Sequence, residues 1–587
     1  MLEALYKYAQ DNKLAVRPGF KAKKIKYHIC FSANGDFIGF STVEDDAEPP
    51  MCPDIGENNT QGDRCNFLVS KAEIVLNIQT EKSGKLLSKK HDFYMDLLSK
   101  ASENDDLFKI AFSAMKNDLD KIRKEYLNAK YKVNDLLSIK VDNIALETSS
   151  DYKEWWENYF KSLQKETQYA NRCFITGELT IPTDVVDKLD IPLPSSFNPK
   201  KSERAKLICY DKDAFESYGF EKCENVSVSN LAMLSVNSAL NKLLRENSHQ
   251  IAGMKFVHWY SQSEKDDIMS LLFSNIFDDN LEINNANKDE ELEEDEDRIQ
   301  KMFNSINKYH PKKNQPPLGK PRNKYYMLSM SAAKSRVMIR SYDEGYYDDL
   351  WNNIKIWFED ICIDIPHYGL KWCSLYRMNK RLIKKSSEDE LSGLAPKIMY
   401  AIMHNTPLPD TVAAKALAYI RSDMYSGDEE RRTALIPDIV ACQILKAWLN
   451  RKYRKEKKEE SIIMEKLDPN RASAAYQTGR LMAVYAAIQA AALGEVGAGV
   501  VERYYTSACT SPALVMGKLA TMAQYHLSKL KGDSPGLYIF FSRMLEEISC
   551  QIGTSLPKTF TLEQQSEFAL GYYFQRSQKS TSKKTEE

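Results

Sequence analysis

The chain has 587 residues, 43% of them hydrophobic and 11% aromatic, with 81 Lys and Arg against 82 Asp and Glu and a formal net charge of -1. That length exceeds what one hydrophobic core serves and predicts two to four domains, while the apolar content excludes global disorder. No run reaches membrane-spanning length, and the N-terminal MLEALYKYAQDNKLAVRPGF reads as an amphipathic helix ending before Arg17-Pro18-Gly19, so a cytoplasmic protein is expected.

In chain order, IKYHICFSANGDFIGFSTV sets Ala33-Asn34-Gly35-Asp36 as a turn between two alternating runs, the pattern of an antiparallel hairpin. Residues 90–168 then turn helical, with apolar spacing through Leu107, Ile110, Ala111, Met115 and Leu119 and on into DYKEWWENYFKSLQKE. A second β-rich segment runs from RCFITGEL to RAKLICYDKDAFESYG, followed by the helix SVSNLAMLSVNSALNKLLREN and the strand MKFVHWY. Residues 1–277 are therefore expected to be a mixed α/β domain. Residues 278–324 carry an acidic run and then a Pro- and Lys-rich one, which bury little apolar surface and predict a linker or long surface loop.

A further hairpin, KYYMLSMSAAKSRVMIRSY, opens residues 325–460, and from there to the end the pattern is helical. Residues 461–587 predict a helix bundle. Ser511-Pro512 and Ser534-Pro535 place an N-cap before Pro at the first helical position, and Thr561-x-x-Gln564 is a capping box. In AAYQTGRLMAVYAAIQAAALG, Leu481, Val484, Ile488 and Ala492 make one apolar stripe. Gly479, Ala483, Ala486 and Ala490 make a second, small-residue face that another helix can approach closely. A helix apolar on both sides is a central one. The predicted class is α+β: a mixed N-terminal region with antiparallel hairpins, then an all-α C-terminal bundle.

No phosphate-binding loop, dinucleotide fingerprint, H-E-x-x-H or G-x-S-x-G motif occurs, and the 11 cysteines include no C-x-x-C pair. His91-Asp92 is the one dyad suggestive of a metal, but adjacent helical residues point in different directions, so a surface or capping pair is expected. No catalytic residue, metal site or cofactor is expected. Basic clusters do recur: KAKKIKY (21–27), NPKKSERAK (198–206), PKKNQPPLGKPRNKYY (311–326), RMNKRLIKK (377–385) and RKYRKEKK (451–458). One such cluster is more often a solvated face than an interface; five, with the acidic residues gathered at 289–297, point to nucleic acid.

Four stretches go beyond composition. RCFITGEL…LICYDKDAFESYGFEKCENVSVSNLAMLSVNSALNKLL (172–244), YYMLSMSAAKSRVMIRSY (325–342), AYQTGRLMAVYAAIQAAALG…VVERYYTSACTSPALVMGKLATMAQYHLSKL (475–530) and FALGYYFQR (568–576) together resemble the large subunit of the type I-C CRISPR Cascade complex. LEALYKYA and NFLVSKAEIVLNI fit as well, so the resemblance holds order and spacing from end to end. It implies a non-catalytic subunit beside the handle-binding subunit of a guide-RNA ribonucleoprotein with its backbone subunits. Such a subunit recognises the protospacer-adjacent motif in double-stranded DNA, helps open the duplex and supports recruitment of a helicase-nuclease. It also implies that the C-terminal bundle resembles the complex's small subunit, made from an internal start for which Met464 is a candidate.

Two departures from the family stand out. SSFNPKKSERAK replaces a Gly-, Gln- and Ser-containing loop, and Ala332-Ala333 stands where a Pro-Asn pair is usual, while Arg336 and Arg340 remain. For the motif itself the loop GDRCNFLVSK is the candidate: Asn66 offers a bidentate contact to adenine, and Arg64 and Lys71 reach guanine acceptors or phosphate. Lys200, Lys201, Arg204, Arg336 and Arg340 are candidates for the nucleic-acid backbone. Arg480, Arg503, Lys518, Lys529 and Arg576 are candidates to line the path of the displaced strand, the alternative being that some only cap or solvate the bundle. The competing functions are a structural RNA-gripping scaffold without motif readout and a metal-dependent nuclease.

Overall fold

The computed structural model describes residues 1–578 apart from 15–16, 45–48, 57–61, 81–85, 164–169, 184–185, 199, 211, 213–217, 221, 252, 264–266, 274–321, 367–368, 384–392, 425–435, 495–498 and 554. The protein is α+β, as its pattern predicts, and the chain divides into two compact units. The first comprises Met1–Pro192, Arg204–Glu246 and Lys334–Val337; the second comprises Leu193–Glu203, Asn247–Ala333 and Met338–Glu587.

The first unit opens with α1 (Leu2–Asp11) and β1 (Phe20–Ala22). The predicted hairpin is β2 (Tyr27–Phe31) against β3 (Phe37–Thr42), closed by Ser32 Oγ, which accepts from Asp36 N at 3.0 Å. β4 (Met51–Pro53) pairs with β1, and β5 (Ser70–Lys71) and α2 (Ala72–Val75) lead to α3 (Leu87–Ala101) and α4 (Asp106–Asn128). β6 (Leu136–Val141) then lies parallel to β2, giving the order β3-β2-β6-β5 with the short β7 (Ile144–Ala145) on β6.

β6 corrects the prediction of continuous helix over 90–168. Its Leu137, Ser138, Ile139 and Val141 are all buried, and a strand covered on both faces loses the alternation by which strands are recognised.

α5 (Asp151–Leu163) delivers the aromatic centre of this unit. Phe67 lies 5.5 Å from the stacked Trp156 ring and 6.0 Å from Phe108, with Tyr152 and Trp155 edge-on. Trp156 Nε1 donates to Gly19 O at 2.6 Å, and Gly19, at φ 78, has no room for a side chain because a Cβ would lie 2.7 Å from Phe160 Cγ. The second β-rich segment yields only two-residue strands: β8 (Asn171–Arg172) and β9 (Leu179–Thr180) here, β10 (Leu193–Pro194) and β11 (Ser202–Glu203) in the second unit. Pro182, Pro192 and Pro194 remove the donors a longer ladder needs. α6 (Asn230–Glu246) packs against α1.

The second unit holds a sheet in chain order: β12 (Ser248–Ile251), β13 (Met254–Tyr260), β14 (Lys324–Ala333) and β15 (Arg336–Tyr346), of which the residues from Met338 onward belong to this unit. The predicted linker falls mostly at residues outside those described. Beyond α7 (Ile268–Phe273) come α8 (Tyr347–Ile361), the hairpin β16 (Ile363–Ile365) and β17 (Gly369–Lys371), α9 (Leu375–Leu382), α10 (Leu394–Met403), α11 (Asp410–Met424) and α12 (Ile439–Lys455). β16–β17 breaks the predicted all-helical run. The bundle follows as α13 (Ala474–Leu493), α14 (Val500–Thr510), α15 (Pro512–Asp533), α16 (Pro535–Ile552) and α17 (Leu562–Ser577).

α13 is central, buried without a break from Ala475 to Ile488 and packed on all four other bundle helices. One contiguous apolar core runs from Ile251 to Phe574, so the bundle and the helices before it share it. The capping box forms, Gln564 N donating to Thr561 Oγ1 at 3.3 Å and Thr561 N to Gln564 Oε1 at 3.0 Å. Ser511 and Ser534 occupy N-cap positions before Pro, but their side chains accept no capping bond. No helix among the described residues is long and apolar enough to cross a membrane.

Candidate nucleic-acid interface

The loop at residues 62–71 is held from its buried side. Lys23 Nζ donates to Pro53 O at 2.7 Å and pairs with Asp54 Oδ2 at 3.0 Å, with Val69 O 3.5 Å away. Tyr94 Oη donates to Leu68 O at 3.2 Å, and Cys65 Sγ donates to Lys90 O at 3.2 Å, its thiol pushed up to about 12 by burial. With Phe67 anchored in the core, Arg64 stands exposed. Asn66 is half-buried and its Oδ1 accepts from Ile55 N at 3.1 Å, so one of the two atoms a bidentate base contact uses is already engaged. Lys71 leaves the loop as part of β5, exposed, with its ammonium 3.5 Å from Glu73 Oε1.

The backbone candidates separate into the two units. In the second, Lys200 and Lys201 are exposed in the turn between β10 and β11, where Ser195 N donates to Lys201 O at 2.8 Å. Arg340 donates from Nε to Ser331 Oγ at 2.9 Å and from Nη2 to Ser196 Oγ at 2.7 Å, and these bonds aim its guanidinium. In the first, Arg204 Nε donates to Leu189 O at 3.0 Å and its Nη2 lies 3.4 Å from Asp190 Oδ1, a carboxylate that also holds Lys21 at 2.8 Å.

The first unit also shows residues that the sequence patterns missed. Lys206 bridges Lys188 on an antiparallel side and Arg336 on a parallel side, through Lys206 N to Ser335 O and Val337 N to Lys206 O, both 2.9 Å. Directly opposed strand residues share a face, so Lys188, Lys206 and Arg336 form one row of like charge. Lys334, exposed, and Ser335 turn the chain beside that row at φ 50 and φ 63. Like charges directly opposed across strands repel one another. Lysines 18 residues apart in the chain give no signal that they will be opposite one another.

On the bundle, Arg503, Lys518 and Lys529 are exposed, and Arg576 is half-buried near the end of α17. Lys518 Nζ lies 5.3 Å from the Tyr504 ring centroid. Arg480 departs from its expected role on the displaced-strand path. It is 3% exposed and donates to Gln575 Oε1 at 2.9 Å, Pro469 O at 2.9 Å and Gln477 Oε1 at 2.8 Å, so its guanidinium ties α13 to α17 instead.

Other basic clusters also prove partly internal. In RKYRKEKK, Arg451 and Arg454 both bind the fully buried Asp360, and Lys452 pairs with Glu563 at 2.5 Å. Arg381 of RMNKRLIKK pairs with Asp438 at 2.8 Å. The expected surface pair His91-Asp92 is likewise corrected: His91 is buried, its Nδ1 is 2.9 Å from Ile74 O, and burial lowers its pKa. Among the described residues no group of three or more His, Cys, Asp or Glu stands together as a metal site.

The fold and surface thus define an α+β protein in two units that carries ordered cations on both. The pattern of the CRISPR-associated protein family Cas_Csd1 matches residues 2–579, and the chain belongs to that family, the large subunit of type I-C Cascade. It is therefore a CRISPR-associated Cascade subunit, as the quoted motifs predict. A comparison with curated proteins finds no match.

Proposed function

We propose that this chain is the non-catalytic large subunit that recognises the protospacer-adjacent motif in duplex DNA, helps open the duplex and steadies the displaced strand, in support of a recruited helicase-nuclease. The observation that carries the proposal is family membership over residues 2–579. The surface supports it by offering the cation row Lys188–Lys206–Arg336 for a DNA backbone and exposed cations on the bundle for a separate strand. In this reading guide RNA supplies sequence through base pairing, while the protein reads a short motif and shape. Arg64 and Lys71 make the exposed motif contacts, and Asn66 shapes their loop through Ile55 while offering its amide hydrogens to a base. The partners are guide RNA, target DNA, the Cascade backbone subunits, the handle-binding subunit and small subunits, in the cytoplasm.

The test is binding of the reconstituted guide-RNA complex, with and without this chain, to matched target duplexes carrying either a family-type motif or a scrambled one. Tight binding that needs both the chain and the motif supports the proposal. Equal binding to both duplexes would make the chain a scaffold. Arg64→Ala and Asn66→Ala each shift motif preference under the proposal, and a preference unchanged in both removes the loop from it.

A further inference from the structure

We propose that the outward face of α15 (Pro512–Asp533) is a stacking strip for unpaired nucleotides, on which Tyr525 takes a base while Lys518 and Lys529 hold neighbouring phosphates. The inference rests on the displaced-strand reading above. It adds what is bound there, the face of an unpaired base, and the residue that binds it.

At 100° per residue, Leu514, Lys518, Thr521, Tyr525, Ser528 and Lys529 fall within one side of the helix, and all six are exposed. The opposite side, through Met516, Leu519, Ala523, Leu527 and Leu530, is buried in the core. Leu514 and Tyr525, 81% and 72% exposed, are the two most exposed large apolar or aromatic side chains of the bundle's described residues. Thr521 Oγ1 and Ser528 Oγ bond back to their own helix, to Gly517 O at 3.2 Å and Gln524 O at 3.0 Å. The hydroxyls therefore lie against the helix while the Tyr525 ring stands clear of it.

Charge selects the partner. The only carboxylate on α15 is Asp533, its last residue. A symmetric contact with a second copy would set Lys518 and Lys529 against themselves, which like-charge repulsion disfavours. An anionic strand meets no such obstacle. One ring between two ammonium groups, about 10 Å and about 6 Å away along the axis at the helical rise, is the combination of base stacking and phosphate attraction that single strands use. A duplex, its base faces already stacked, gains nothing from the tyrosine.

The experiment measures binding of the full chain to a labelled oligothymidylate and to an abasic strand of equal length, by fluorescence anisotropy across a salt series, with sedimentation run on each variant. Y525A is expected to weaken oligothymidylate binding about tenfold and leave abasic binding within about twofold, while Y525F keeps the parent affinity. Lys518→Ala with Lys529→Ala is expected to weaken both strands alike and reduce the salt slope by roughly 1.4. Loss in the lysine variant with Y525A unchanged would overturn the stacking inference while leaving the strand path standing. No loss in either variant would overturn both. A changed sedimentation coefficient in Y525A with unaltered DNA binding would overturn the inference in favour of a protein contact.

Discussion

Gly479 of α13 and Gly571 of α17 meet at a helix crossing that excludes a side chain from both. A Cβ at Gly479 would lie 2.0 Å from Phe568 O, and one at Gly571 would lie 2.1 Å from Tyr476 O. The obstruction is reciprocal and made of backbone, so no rotamer change relieves it. It is the closest form of the small-residue approach that the 474–494 stretch predicts, and it explains how α13 can be packed against all four other bundle helices.

Gly479→Ala is therefore expected to destabilise the second unit by roughly 1–3 kcal/mol, overpacking outweighing the helix propensity gained. Gly517→Ala in α15, where nothing lies within 4 Å of the added Cβ, should instead stabilise it by about 1 kcal/mol. Urea unfolding followed by circular dichroism measures both, and equal effects would contradict the crossing geometry.

Asp360 is completely buried, 3.1 Å from Arg451 Nε and 2.9 Å from Arg454 Nη1, and Lys446 Nζ donates to its backbone oxygen at 3.1 Å. Asp360→Ala leaves Arg451, itself buried, without its carboxylate, and should lower stability by about 3–5 kcal/mol. Arg451→Met combined with Asp360→Leu should recover much of that loss, because the pair's desolvation penalty disappears with it. Thermal unfolding of the two variants separates these outcomes.

The row Lys188–Lys206–Arg336 gives a prediction for DNA. Lys188→Ala with Lys206→Ala should weaken binding of the assembled complex to all target duplexes alike and reduce the salt slope by about 2, with motif preference unchanged. In the protein alone the same pair of changes should leave stability level or slightly raised, since opposed like charges are removed. A salt slope identical to the parent's would take the row out of the interface.

His249 supplies a pH dependence. Burial, then the adjacent His258, lowers its pKa to about 4, with Asp267 acting in the other direction. The unfolded chain takes up this proton near 6.5, the folded protein only near 4. The stability contribution is thus fully present above about pH 6.5 and is lost as pH falls from there through about 4. Because its ring stacks on Phe273 at 4.4 Å, His249→Phe should preserve packing and flatten the slope of denaturation midpoint against pH.

Much of the architecture has local causes and was legible in the chain. The turn at Ala33–Asp36, the hairpin β14–β15, helix α6, the capping box at Thr561 and the centrality of α13 each follow from residues within a few positions of one another. The family was legible too, because ordered motifs ran almost from end to end. Tertiary structure settled what depends on distant partners. β6 became a strand because β2, about a hundred residues earlier, paired with it, and its burial erased the alternation that would have marked it. Arg451 turned inward because Asp360, 91 positions away, came to meet it, and Arg480 because Gln575 lay across the α13–α17 crossing. Composition reports that a residue is charged; whether water, a carboxylate or a nucleic acid faces it depends on packing between elements, which no local pattern encodes.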